Sequence, residues 1–266
     1  MIREPAVAGT FYPEDAGELK GMIRKFLSDA KEVKVMGRLR GLVVPHAGYV
    51  YSGPVAAYGY RLLAKQGFER AIIIGPSHYA SFGACEAGAE FWKTPLGMVR
   101  ARSFGSHGLI SVHPEAHAQE HCIEVQLPFL QEINRKFEIL PLLCGIVNPA
   151  ELADAVAGEI DDRTIVIASS DLSHYNEYGL AKKIDGIANE AVPALDISRF
   201  EREGDACGKA AILTLMHIAK KMGWKGKLLD YRNSGDTAGP KSEVVGYGCY
   251  AFCETGVPLH SGKVKK

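Results

Sequence analysis

Short apolar runs alternate along the chain with stretches of helical periodicity. Leu42-Val43-Val44, Ala71-Ile72-Ile73-Ile74 and Thr164-Ile165-Val166-Ile167-Ala168 are unbroken and rich in β-branched residues. That is the pattern of strands covered on both faces. Glu138 to Leu143 predicts a further strand, and Lys227 to Tyr231 and Val244 to Phe252 predict the last two. Between them, Leu19, Met22, Ile23, Phe26 and Leu27 fall on one face of a helix expected over Pro13 to Ala30. Pro54 suits a first helical turn, and Gly67 suits the stop after it. Further helices are expected at Ile123 to Asn134, Pro149 to Ile160, Leu180 to Leu195 and Ala206 to Met222, the first of them kinked or interrupted by Pro128. Between Ala84 and Phe104, Pro95-Leu96-Gly97 marks a turn, so a hairpin at the sheet edge is expected. These elements predict an α/β fold: a mostly parallel or mixed central sheet with helices on both faces, residues 1–266 forming a single domain.

Charge changes this picture little. Lys and Arg number 31 and Asp and Glu 31, so no field draws the chain to nucleic acid or an anionic membrane. Lys263 to Lys266 reads as a frayed tail. The six cysteines form no C-x-x-C pair, which argues against a structural zinc site. No apolar signal region opens the sequence and no run reaches the length of a membrane span, so a cytoplasmic protein is expected.

Candidate chemistry follows from where the strands end. The three clearest strands run into Pro45-His46-Ala47-Gly48-Tyr49, Gly75-Pro76-Ser77-His78-Tyr79 and Ser169-Ser170-Asp171-Leu172-Ser173-His174. Open α/β sheets bind ligands beyond the carboxyl ends of their strands. If these strands are parallel neighbours, the imidazoles of His46, His78 and His174 converge. A lone histidine after a strand is most often an ordinary loop residue; three in equivalent places predict a shared site. Histidine ligates metals and moves protons near neutral pH, and two histidines with one carboxylate suit non-haem Fe(II). Asp171 and Asp236 are the candidate carboxylates, although Asp171 reads equally well as a cap. In Glu120-His121-Cys122-Ile123-Glu124, His121 and Glu124 would share a helix face, and Glu124 would orient His121. The bland reading is a solvated helix start. His107, His113, His117, His217 and His260 are set aside. Cys207-Gly208, at a helix start, reads either as a low-pKa thiol or as an inert buried cysteine. No dinucleotide fingerprint, phosphate loop or nucleophile elbow is present.

The ordered motifs resemble the Memo family (mediator of cell motility). They are Pro5-Ala6-Val7-Ala8-Gly9-Thr10-Phe11-Tyr12-Pro13, Pro45 to Tyr49 with Tyr51-Ser52-Gly53, Gly75 to His78, Thr94-Pro95-Leu96-Gly97, Glu120 to Glu124, Ser169 to His174, Ser234-Gly235-Asp236 and Val244-Val245-Gly246-Tyr247. The resemblance implies a fold similar to class III extradiol dioxygenases. It implies His46 and His78 as metal ligands and His174 at the acid/base position. Eukaryotic Memo proteins place a cysteine where a gapless alignment puts Thr237 here, so Asp236 is expected to supply an oxygen ligand instead. That set favours Fe(II), with copper or zinc as alternatives. The resemblance leaves three functions open. One is a dioxygenase-like metal enzyme with His174, Asp171, His121 and Glu124 as catalytic groups. Another is a module binding a small molecule, peptide or anion in the pocket. The third is a subunit of an AmmeMemoRadiSam-type modification complex with AMMECR-type and radical SAM partners.

Overall fold

The computed structural model describes residues 1–105 and 108–256; His107, His260 and the C-terminal lysines fall outside them. The first half runs β1 (Ile2–Arg3), α1 (Ala16–Asp29), β2 (Arg38–Val44), α2 (Tyr49–Leu63), β3 (Arg70–Pro76), β4 (Ala84–Glu86), β5 (Phe91–Thr94), β6 (Gly97–Ala101), β7 (Ile110–Val112), α3 (Pro114–Ala118). A 3-10 turn at Glu124–Gln126 leads into α4 (Leu127–Ile133), followed by β8 (Glu138–Cys144), α5 (Pro149–Ala157) and β9 (Thr164–Ser169). The chain then forms α6 (Tyr178–Ala194), α7 (Ile197–Glu203), α8 (Lys209–Lys221), β10 (Lys225–Asn233), α9 (Ser234–Thr237) and β11 (Gly246–Glu254).

Among the described residues one mixed sheet of 11 strands carries the order β1-β5-β6-β8-β3-β9-β2-β11-β10, with β4 beside β8 and β7 beside β4. Its centre, β8-β3-β9-β2, is parallel, and β11 and β10 close one side antiparallel. Alternate residues of the buried strands feed two cores. Leu42, Val44, Ile73 and Ile167 join the layer of α1, α2 and α4. Val43, Ile72, Ile74, Val166 and Ala168 join the layer of α5 to α8. Unbroken apolar runs are what a sheet covered on both faces requires.

Local chemistry accounts for the helix boundaries. Asp15 caps α1 by accepting from the backbone N–H of Gly17 and Glu18 (2.8 and 2.9 Å). Pro128 does not kink a long helix: the chain arrives as a 3-10 turn and α4 starts so that proline falls in its first turn. There the missing N–H has no intrahelical partner to lose. α2 starts at Tyr49, so Pro54 lies inside the helix and not in its first turn as expected. The expected hairpin is β5–β6.

Candidate metal centre

Parallel pairing brings the rings of His46 and His78 together, while the ring neighbour of His174 is Tyr175, 5.7 Å away. β2 and β3 lie on either side of β9, so the loops after all three open at one sheet edge. His46 follows β2, His78 follows β3, and Ser169 ends β9 between them. The rings of His46 and His78 meet edge to face at 5.3 Å between centroids. His121 joins them, stacked on His78 at 4.7 Å and edge-on to His46 at 5.3 Å.

The fourth group is Cys207. Its Sγ lies 3.1 Å from Nε2 of His46. One donor atom from each of His46, His78 and Cys207 lies within 4.8 Å of the other two. Cys207 sits just before α8, and its backbone N–H donates to the Asp171 carbonyl (3.3 Å). Glycine at 208 permits this approach, because a Cβ there would stand 2.7 Å from the Ser169 carbonyl oxygen. Asp236 is elsewhere. Its carboxylate accepts from the Tyr178 hydroxyl (2.7 Å) and from the Asn233 backbone N–H (3.1 Å), capping the short α9. The neighbouring Thr237 hydroxyl donates to the Ser234 carbonyl (3.3 Å). The thiol beside His46 is that of Cys207, which the gapless alignment did not find.

Hydrogen bonds define which nitrogens are free. Ser169 spends its only hydroxyl hydrogen on the Cys122 carbonyl (2.6 Å), so it can only accept from Nδ1–H of His46 (3.1 Å). Its Oγ also accepts from the Gln126 amide (2.8 Å). The lone pair of His46 is thereby left on Nε2, facing Cys207. Nδ1 of His78 lies 2.9 Å from the Glu120 carboxylate, which accepts, so the neutral ring would carry its lone pair on Nε2 as well. This is the arrangement by which hydrogen-bond acceptors orient metal-ligating imidazoles.

Burial, reinforced by the neighbouring imidazoles, pushes the pKa of His46 well below its ordinary value and keeps the ring neutral. Burial brings His121 down to about 4. Burial and the nearby Asp171 carboxylate raise the Cys207 thiol to about 12, so a low-pKa thiol is not what the helix start provides. Asp171, buried, is raised to about 6 by desolvation, and it accepts the His46 backbone N–H at 2.7 Å. His174, half-buried, stands near enough to act on Asp171 and His46. Tyr175 beside it adopts φ +57°, a left-handed conformation uncommon for a non-glycine residue.

Glu124 has a different place from the one expected. It is paired with Arg3 and accepts from the backbone of Ala6 (2.8 Å) and Val7 (3.1 Å), tying down the N-terminal segment. His121 and Glu124 share no helix, since the chain turns at Cys122 and Ile123 before the 3-10 segment. The carboxylate near His121 is Glu120, 3.2 Å from its Nδ1 though not aligned for a hydrogen bond. A separate hollow of about 640 Å³ lined by Glu69, Arg70 and Glu138 sits at the opposite strand ends, where Arg163–Glu69 and Arg70–Asp161 pairs neutralise one another.

Residues 3–251 match the family model of Memo-like proteins. The chain belongs to the Memo family. MEMO1 family proteins align with it over more than nine-tenths of its length. That of Nitrosopumilus maritimus is 36% identical over 275 residues, covering 95% of this chain and 100% of the relative. That of Thermoplasma acidophilum is 38% identical, covering 93% and 97%. That of Methanopyrus kandleri is 39% identical, covering 95% and 99%. Among the described residues of this Memo chain, no helix is long and apolar enough to cross a membrane.

Proposed function

We propose that this Memo-family protein holds a redox-capable metal ion on His46, His78 and Cys207 and acts as a metal-dependent oxidoreductase. The observation that carries the reading is the meeting of two imidazoles, each with Nδ1 on an oxygen acceptor and Nε2 left over, and one thiol at a single sheet edge. Two nitrogens and a sulfur suit Fe(II), copper and zinc; the sulfur makes copper a stronger rival to Fe(II) than the oxygen set expected from Asp236. The ion would supply electron transfer and polarisation of a bound molecule at its open positions. The protein's own part is to hold the rings rigid, exclude water with the buried Ser169 and Gln126, and move a proton through His174. Tyr79 and Tyr175, exposed and each next to a site histidine, offer a rim for a small molecule or peptide.

Protein purified without oxygen is expected to carry about one metal ion per chain by elemental analysis. The double variant His46→Ala/His78→Ala, and separately Cys207→Ala, are expected to lose it while keeping their far-ultraviolet circular dichroism. Stoichiometric metal in the folded double variant would end this reading.

A further inference from the structure

Glu120 is 1% exposed and lies in the turn between α3 and the 3-10 segment. Its carboxylate takes donors from two directions. Oε2 accepts the backbone N–H of His78 (2.8 Å), and Oε1 accepts the ring Nδ1–H of the same residue (2.9 Å). Oε1 also accepts the backbone N–H of His121 (2.8 Å) and Cys122 (3.2 Å). A buried carboxylate that only tied two loops together would need the backbone donors and nothing more.

We propose that Glu120 is the positioning residue of the metal centre, setting both the tautomer and the direction of the His78 imidazole. Gripping one residue by its main chain and its ring leaves the ring no free torsion, so Nε2 is presented in a single direction. Arg3 of β1 holds Glu120 in turn. Its guanidinium donates twice to the His117 carbonyl (3.2 and 3.1 Å) and once to the Glu120 carbonyl while pairing with Glu124. The N-terminal strand is thereby part of the support of the centre. The inference rests on the metal-centre reading but has a readout that needs no metal.

The test uses metal-free full-length protein labelled at histidine, with His78 assigned through His78→Gln, and ring carbon and nitrogen shifts reporting the tautomer. In the unaltered protein both His46 and His78 are expected as the Nδ1–H form. Glu120→Ala is expected to turn His78 to the Nε2–H form usual for free imidazole and to leave His46, held by Ser169, unchanged. Glu120→Gln keeps an acceptor oxygen and is expected to retain the Nδ1–H form. In an anaerobic Co(II) titration, Glu120→Ala is expected to weaken binding by about 10–100-fold and Glu120→Gln by less than about tenfold. An unchanged His78 tautomer in Glu120→Ala, or Co(II) affinity within about threefold of the unaltered protein, overturns the proposal. So does an Nε2–H form of His78 in the unaltered protein, whether or not the alanine variant folds. If the tautomer shifts as expected while no form of the protein binds Co(II), the positioning role stands and the metal-centre reading falls.

Discussion

His117 is a buried imidazole outside the cluster of His46, His78 and His121. It is 0% exposed, its Nε2 faces the Cys85 carbonyl at 3.2 Å, and burial holds its pKa down to about 4. The unfolded chain takes up its proton near 6.5. Between those values the unfolded state binds more protons, so this residue's contribution is present above about 6.5 and is lost as pH falls toward 4. At roughly 1.4 kcal/mol per unit the full loss is about 3.5 kcal/mol, of which about 2–3 kcal/mol is reached by pH 4.5. Urea unfolding at pH 7 and pH 4.5 is expected to show a smaller drop in stability for His117→Gln than for the unaltered protein, by roughly that amount. Equal drops would place the acid sensitivity elsewhere. At this scale the sequence separates residues poorly. His117 and His121 stand in the same polar stretch, as do Glu120 and Glu124. Only the turn before Glu124, unforeseen by a helical reading, decides which carboxylate meets His78.

The elements that present His174 depend on one glycine. Gly246 opens β11, where its N–H donates to the Ser173 carbonyl (2.9 Å) and its carbonyl accepts from the Leu172 N–H (2.8 Å). Asp185 of α6 completes the clamp by accepting the Ser173 N–H (3.0 Å) and the Tyr231 hydroxyl (2.7 Å). A Cβ at 246 would stand 2.0 Å from the Asp185 carboxylate, so strand and helix cannot keep their spacing around any side chain there. Gly246→Ala is expected to cost about 1–3 kcal/mol in urea unfolding. The same change made on Asp185→Ala is expected to cost much less, because the obstructing carboxylate is gone; strictly additive costs in the double-mutant cycle would refute the clamp. The long elements around this clamp were legible. α6 and α8 show clean periodicity, and the runs after Leu42, Ala71 and Thr164 are too apolar for anything but buried strands. α7 and the short β1 and β7 were not. α7 is a two-turn helix that buries chiefly Phe200, and β1 has only two residues, paired with the distant β5. Periodicity has nothing to measure over such lengths.

The whole molecule brings together groups that sequence reading could treat only separately. Parallel order places the loops of β2 and β3 on either side of β9, and this much followed from the strand-end histidines. Cys207 did not follow, because it ends no strand; it reaches His46 only through the packing of α8 against β9 and the close approach at Gly208. A ligand held at that meeting point ties the loops of β2 and β3 to the start of α8, and these are far apart in an unfolded chain. Metal bound to the native state alone therefore stabilises the fold by mass action, by about 2.7 kcal/mol at a free concentration 100 times the Kd. For a chain of this size that is a rise in Tm of about 5–10 °C. Thermal unfolding under nitrogen, with chelator or with added Fe(II) or Cu(I), is expected to show this rise in the unaltered protein and not in His46→Ala or Cys207→Ala. The Cys207 variant discriminates best, since a centre built on histidine and Asp236 would keep its rise when the thiol is removed. An undiminished rise in Cys207→Ala would return the third ligand to an oxygen donor and remove the thiol from the centre.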